Sequence, residues 1–228
     1  MLDIAQLQRQ TKRYELADGV RDWQSALWIA VMGIYAWLVW DMPALYLGAL
    51  LDFMERFGRL FSVLVVFGIA LALPLVLTEG ALRLMNEWLR RRWLWRETGI
   101  IKPAKWILPR RILFAEFVLM LVVFLACFFI AQSTGDPWFI IKGIYGGMGI
   151  AFAYGYWALG GHYQIARYRP MALLGSVGTI VLMSLPLTAG ASCLVLSLWW
   201  SAMLMLSGAV GIHQAARSTQ ERQTHDGT

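Results

Sequence analysis

Apolar and polar residues segregate along this chain into long blocks. Six apolar runs stand out, at residues 23–40, 60–78, 112–131, 138–159, 171–187 and 192–212. A helix of about 20 residues crosses roughly 30 Å of hydrocarbon, so each run has about the length of a span. The pattern predicts an all-α polytopic membrane protein: a bundle of six transmembrane helices with one or two interfacial amphipathic helices. Trp23, Trp28, Trp37 and Trp40 flank the first run, where amphipathic rings favour the headgroup level. Residues 44–59 carry Asp52, Glu55, Arg56 and Arg59. They read as an amphipathic helix at the outer surface that continues into the second span. Pro74 is expected to kink the second span, and Pro186 the fifth. Residues 1–22 form a polar lead without the apolar core of a signal peptide, and residues 213–228 a polar tail.

Between the second and third runs lies the segment that orients the rest, residues 79–111. It carries nine basic side chains: Arg83, Arg90, Arg91, Arg92, Arg96, Lys102, Lys105, Arg110 and Arg111. On a wheel of 3.6 residues per turn, Leu84, Met85, Trp88, Leu89 and Trp93 share one half. Arg83, Asn86, Glu87, Arg90 and Arg91 share the other. This is the pattern of a helix lying in the interface. Under a six-span topology, 17 of the 20 Lys and Arg fall on one side. Only Arg56, Arg59 and Lys142 fall on the other. The positive-inside rule then places both termini in the cytoplasm.

Composition agrees. The 228 residues are 59% hydrophobic and 15% charged, against about 45–50% and 25% in soluble domains. The net charge of +6 is distributed beside apolar runs, which argues against nucleic acid as a partner. Anionic lipid on the cytoplasmic side is the partner that the basic segment suits. Cys127 and Cys193 both sit within apolar runs and read as small buried hydrophobes. Of the three His residues none lies within a span, so neither a metal site nor an intramembrane haem is predicted. No other cofactor motif stands out.

Few ionisable groups enter the runs. Glu116 lies about one turn into the third span and Lys142 about one turn into the fourth, while Glu79 follows the second. An intramembrane ionisable residue is a functional-site hypothesis by default, which makes Glu116, Glu79 and Lys142 a candidate polar site. The blander reading has Glu116 reaching headgroups or pairing with Arg110 or Arg111, and Lys142 snorkelling outward. Gly143 and Gly147 have GxxxG spacing. With Gly155 in the same span and Gly208 in the sixth they mark close helix-packing faces.

Short motifs carry a resemblance. An Asp18-Gly19 pair opens the first span, and Arg92-Trp-Leu-Trp-Arg-Glu-Thr-Gly-Ile-Ile-Lys102 follows the second. This resembles a family of uncharacterised prokaryotic six-span integral membrane proteins. Members have an Asp-Gly pair before span one and a basic Tyr-Pro-Arg-Thr-Gly-Tyr-Val segment after span two. Thr98, Gly99 and Lys102 match, whereas Trp95-Arg96-Glu97 stands where Tyr-Pro-Arg would and Ile100-Ile101 where Tyr-Val would. The approach to the fifth span at Arg169 and the Ser207-Gly208 pair are also similar. The resemblance implies a six-span topology and no known activity, and the expected location is the prokaryotic plasma membrane.

Three functions fit this pattern. The first is a non-enzymatic subunit or accessory component of a larger membrane complex or transporter, with a membrane-protein partner or further copies of itself. The second is a small-solute transporter or channel using Glu116 and Glu79. The third is an intramembrane enzyme acting on a lipid headgroup through Glu116, His162 and Arg167.

Overall fold

The computed structural model describes residues 16–58, Leu84, Trp88 and residues 109–226. Among them every regular element is a helix. The helices are α1 (Val20–Asp41), α2 (Pro43–Phe57), α3 (Arg110–Thr134), α4 (Trp138–His162), α5 (Tyr168–Ser184) and α6 (Ala189–Asp226). Three stretches are long and apolar enough to cross a membrane: Val20–Asp41, Arg110–Thr134 and Ala189–Ala215. The second span with Pro74, Glu79, and the basic residues Arg83, Arg90, Arg91, Arg92, Arg96, Lys102 and Lys105 lie outside the described residues. Leu84 and Trp88, both assigned to the apolar half of the interfacial helix, are helical and exposed.

Small residues set the packing. α1 lies along α6, with Gly19 opposite Gly208, Gly33 opposite Ser197 and Asp41 opposite Gly190. As one number rises the other falls, so the two helices are antiparallel. Gly143 faces Cys127 and Gly147 faces Met120, which runs α4 antiparallel to α3. Added methyl groups at these two glycines would lie 2.5 Å from Cys127 Cβ and 2.9 Å from the Met120 carbonyl oxygen, closer than side chains approach. Gly143 and Gly147 therefore line the seam between α4 and α3. α5 pairs with α4 through Gly149–Thr179 and Gly160–Tyr168, and with α6 through Gly175–Trp200 and Gly178–Trp199. Trp200 donates its indole N–H to Thr179 Oγ1 (3.1 Å), and Thr179 returns its own proton to the Gly175 carbonyl (2.7 Å).

These pairings give one direction to α1, α3 and α5 and the opposite direction to α4 and α6. Asp22, Glu116, Arg167 and Ser207 accordingly share one end of the bundle. Asp41, Lys142 and Leu185 share the other.

Several boundaries differ from the sequence reading, each for a local reason. The first helix starts at Val20, three residues early, because Asp22 belongs to its buried face. α2 does not run on: it stops at Phe57, where Gly58 takes φ +85°. Pro186 does not kink α5. The helix ends at Ser184 and Leu185 is already extended (ψ 145°), the conformation that a following proline imposes. The sixth apolar run continues as helix into the polar tail, to Asp226.

Candidate functional site

At the Asp22 end, the chain first reverses at Asp18-Gly19. Gly19 adopts φ +75°, a left-handed conformation that suits glycine, and Asp18 Oδ1 accepts the Val20 N–H (3.1 Å). The turn also lets the Gly19 backbone touch Gly208. A Cβ at Gly208 would lie 2.7 Å from the Gly19 carbonyl oxygen and would strike the Trp23 ring. Trp23 in turn donates to the Met205 carbonyl (2.9 Å).

This close approach sets Asp22, 1% exposed, into the middle of three partners. Its Oδ1 accepts from the Tyr168 hydroxyl (2.8 Å), and its Oδ2 from Ser207 Oγ (2.8 Å) and Arg167 Nη2 (3.3 Å). Arg167 spends its remaining donors nearby: Nη1 to the Ala17 carbonyl (3.0 Å), Nη2 to the Leu16 carbonyl (2.5 Å), and Nε to Ser207 Oγ (3.2 Å). A buried carboxylate costs several kcal/mol to desolvate, and this one is balanced by a guanidinium and two hydroxyls. Arg167 closes the set by lying 5.1 Å from the Tyr168 ring centroid. The motif pairs Asp18-Gly19 and Ser207-Gly208 therefore meet in space.

Beside this lock lies a cavity of about 220 Å3. Arg21, Asp22 and Ser25 line it from α1, Phe152, Gly155 and Tyr156 from α4, and Glu116 from α3. Phe152, Tyr156 and Tyr168 stack edge to face, with centroids 4.9 and 5.0 Å apart. Glu116 and Gly155, predicted separately as a polar group and a packing residue, are one feature. The Glu116 carboxylate rests on Gly155, where a Cβ would collide with Oε1. Glu116 has no hydrogen-bond or ion-pair partner among the described residues. It does not turn back to Arg110 or Arg111, which are exposed at the start of α3.

Lys142 corrects its prediction. It is 6% exposed rather than snorkelling, and its Nζ donates to the Leu185 carbonyl (3.1 Å) above the Phe139 ring (5.6 Å). The physical reason is that Pro186 ends α5, and the Leu185 carbonyl, which also accepts from the Leu187 N–H (2.8 Å), is turned out of the helix with a lone pair for Lys142. Lys142 and Glu116 stand at opposite ends and form no joint site. Asp41 does the complementary task at the same end as Lys142. It accepts from Thr188 Oγ1 (2.6 Å) and the Gly190 N–H (3.2 Å) at the start of α6. An anion thus sits at a helix N-terminus and a cation at a helix C-terminus, the arrangement that the helix dipole favours.

His162 is exposed, stacks edge-on to Tyr163 and lies outside the cavity lining, while Arg167 is held by Asp22. The structure therefore does not assemble Glu116, His162 and Arg167 as a catalytic set. Asp22, Tyr168 and Ser207 were not among the predicted site residues. Comparison of the chain with protein-family models, with curated proteins and with solved structures gives no match.

Proposed function

We propose that this chain is a six-span integral membrane protein with both termini cytoplasmic that works by association, as a subunit or accessory component of a larger membrane complex or transporter. The observation that carries this reading is the contrast between the cross-tied frame and α3. Within the frame, Asp22, Asp41 and Lys142 each bind one helix to another. Among the described residues, α3 is joined chiefly along its α4 seam. It leaves Phe114, Phe117, Val122 and Phe129 exposed, at 57% or more.

The topology has its own support. α1 and α3 run in the same direction, so the chain must return between them, which is where the sequence places the second span. Arg110 and Arg111, exposed at the start of α3, then stand on the cytoplasmic side, where the basic composition of the segment suits anionic lipid or an acidic partner. In vivo photocrosslinking from Phe117, Val122 and Phe129 tests the assignment. A discrete protein adduct supports it, and adducts to lipid alone overturn it.

The cavity beside Glu116 favours a second reading, a small-solute transporter with Glu116 in its inner vestibule. Replacing Glu116 by Gln then abolishes flux in liposomes, and unchanged flux removes the residue from any such path.

A further inference from the structure

Glu116 is a half-buried charged group inside the bundle to which the described residues give no hydrogen-bond or ion-pair partner. Its neighbour in the cavity, Asp22, has its charge answered by Arg167, Tyr168 and Ser207. Glu116 instead presents its carboxylate from a bare glycine surface, half-buried, facing a cavity floored by Phe152 and Tyr156. Burying a carboxylate without hydrogen bonds is costly, so the seat is suited to a cation that supplies donors.

Size and depth narrow the cation. About 220 Å3 is below the 300–1,000 Å3 of pockets for drug-sized ligands, and corresponds to about seven waters at roughly 30 Å3 each. A small headgroup fits such a space. Glu116 lies six residues into α3, or about 9 Å of helix rise. It lies at the same end of the bundle as the first turn of α1 and the start of α5, and shares the cavity with Asp22 and Tyr168. On the six-span reading this level is the cytoplasmic headgroup zone. Arg21, from the α1 wall, adds a positive group to the same lining. Asp22 shares the lining but is paired with Arg167, so Glu116 and Arg21 give the space an acidic and a basic group, the complement of a zwitterion.

We infer that this cavity binds the headgroup of an aminophospholipid of the phosphatidylethanolamine class, with the ammonium on Glu116 and the phosphate toward Arg21. The ammonium supplies N–H donors to the carboxylate, and the aromatic floor adds a cation–π contribution. A trimethylammonium headgroup has the charge but no donor, so choline lipids bind more weakly. The inference deepens the membrane reading above and rests on it.

The test is native mass spectrometry of the full-length protein released from nanodiscs of equal phosphatidylethanolamine, phosphatidylcholine and phosphatidylglycerol. The wild type retains the ethanolamine lipid selectively. Glu116→Gln loses that selectivity about tenfold, the size of one charge-assisted hydrogen bond. Gly155→Ala provides an independent variant. Its new methyl meets only the mobile end of the Glu116 side chain, so the helix packs as before while the carboxylate is evicted. It shows the same loss with an unchanged melting midpoint in phosphatidylglycerol-only discs.

Equal retention of all three lipids by the wild type overturns the inference, as does a Glu116→Gln protein that retains the ethanolamine lipid unchanged. Choline lipid held as well as ethanolamine lipid overturns the N–H recognition. Displacement of the lipid by free phosphoethanolamine at matched concentration assigns the site to a soluble amine and overturns the lipid assignment. Release of the protein from native membranes by carbonate washing would instead break the membrane reading itself. A protein that stays in the membrane without lipid selectivity breaks only the inference.

Discussion

The two ends of the helix bundle solve the same problem by different means. Each has charged side chains among apolar helices. At the Asp41 end the charges are spread out, and each meets the terminus of one helix: Asp41 the start of α6, Lys142 the end of α5. At the Asp22 end the charges are gathered, and one carboxylate, one guanidinium and two hydroxyls from α1, α5 and α6 with their connecting turns satisfy one another. A helix end supplies half a charge and unpaired backbone groups that any suitable side chain can use. A buried ion pair supplies full charges, and loses heavily if either member is removed. The first arrangement tolerates change and the second does not.

That difference sets the order of the following outcomes, all measured by equilibrium unfolding in mixed micelles. Arg167→Met strands Asp22 without its counterion and costs about 3–5 kcal/mol. Adding Asp22→Asn to it restores much of that loss, whereas a double variant as unstable as the single one would show that Arg167 acts through the Leu16 and Ala17 carbonyls instead. Gly208→Ala places a methyl against the Gly19 backbone and the Trp23 ring, costing about 1–3 kcal/mol as the helices separate. A neutral result there would mean that α1 can slide on α6. Asp41→Ala removes the acceptor at the start of α6 for about 1 kcal/mol, in the range of other N-terminal caps. Lys142→Met costs about 1 kcal/mol or less, because losing one hydrogen bond is offset by removing a buried charge. A cost there as large as that of Arg167→Met would erase the distinction between the two ends.

How the sequence was readable follows from the range of each interaction. Hydropathy is local, so the helices from Arg110, Trp138 and Tyr168 begin within three residues of the predicted spans. Glycine spacing is also local, and Gly143, Gly147, Gly155 and Gly208 all lie at close approaches. The partners of those glycines were not legible. Gly155 looked like a helix-packing residue, yet what it accommodates is a carboxylate. Asp22 was assigned to the polar lead because it stands one residue before the first apolar run. Nothing within its own segment shows that its partners are Tyr168 and Ser207. The available signal was indirect: the Asp18-Gly19 and Ser207-Gly208 pairs, noted as short motifs, lie four and no residues away from members of the lock. Lys142 was misread for the same reason, since the carbonyl that it satisfies is created by a proline 44 residues later.

The lock also has a consequence in time. Asp22 leaves the ribosome early in synthesis, but Arg167 follows 145 residues later and Ser207 185 residues later. At about 5–20 residues per second, the aspartate waits roughly 7–30 seconds for its first partner. On the proposed topology, the first helix until then meets the bilayer with a charge that only water and headgroups can satisfy. A nascent chain stalled before Ser207 would have an incomplete last helix, and Asp22 would lack one of its hydroxyl partners.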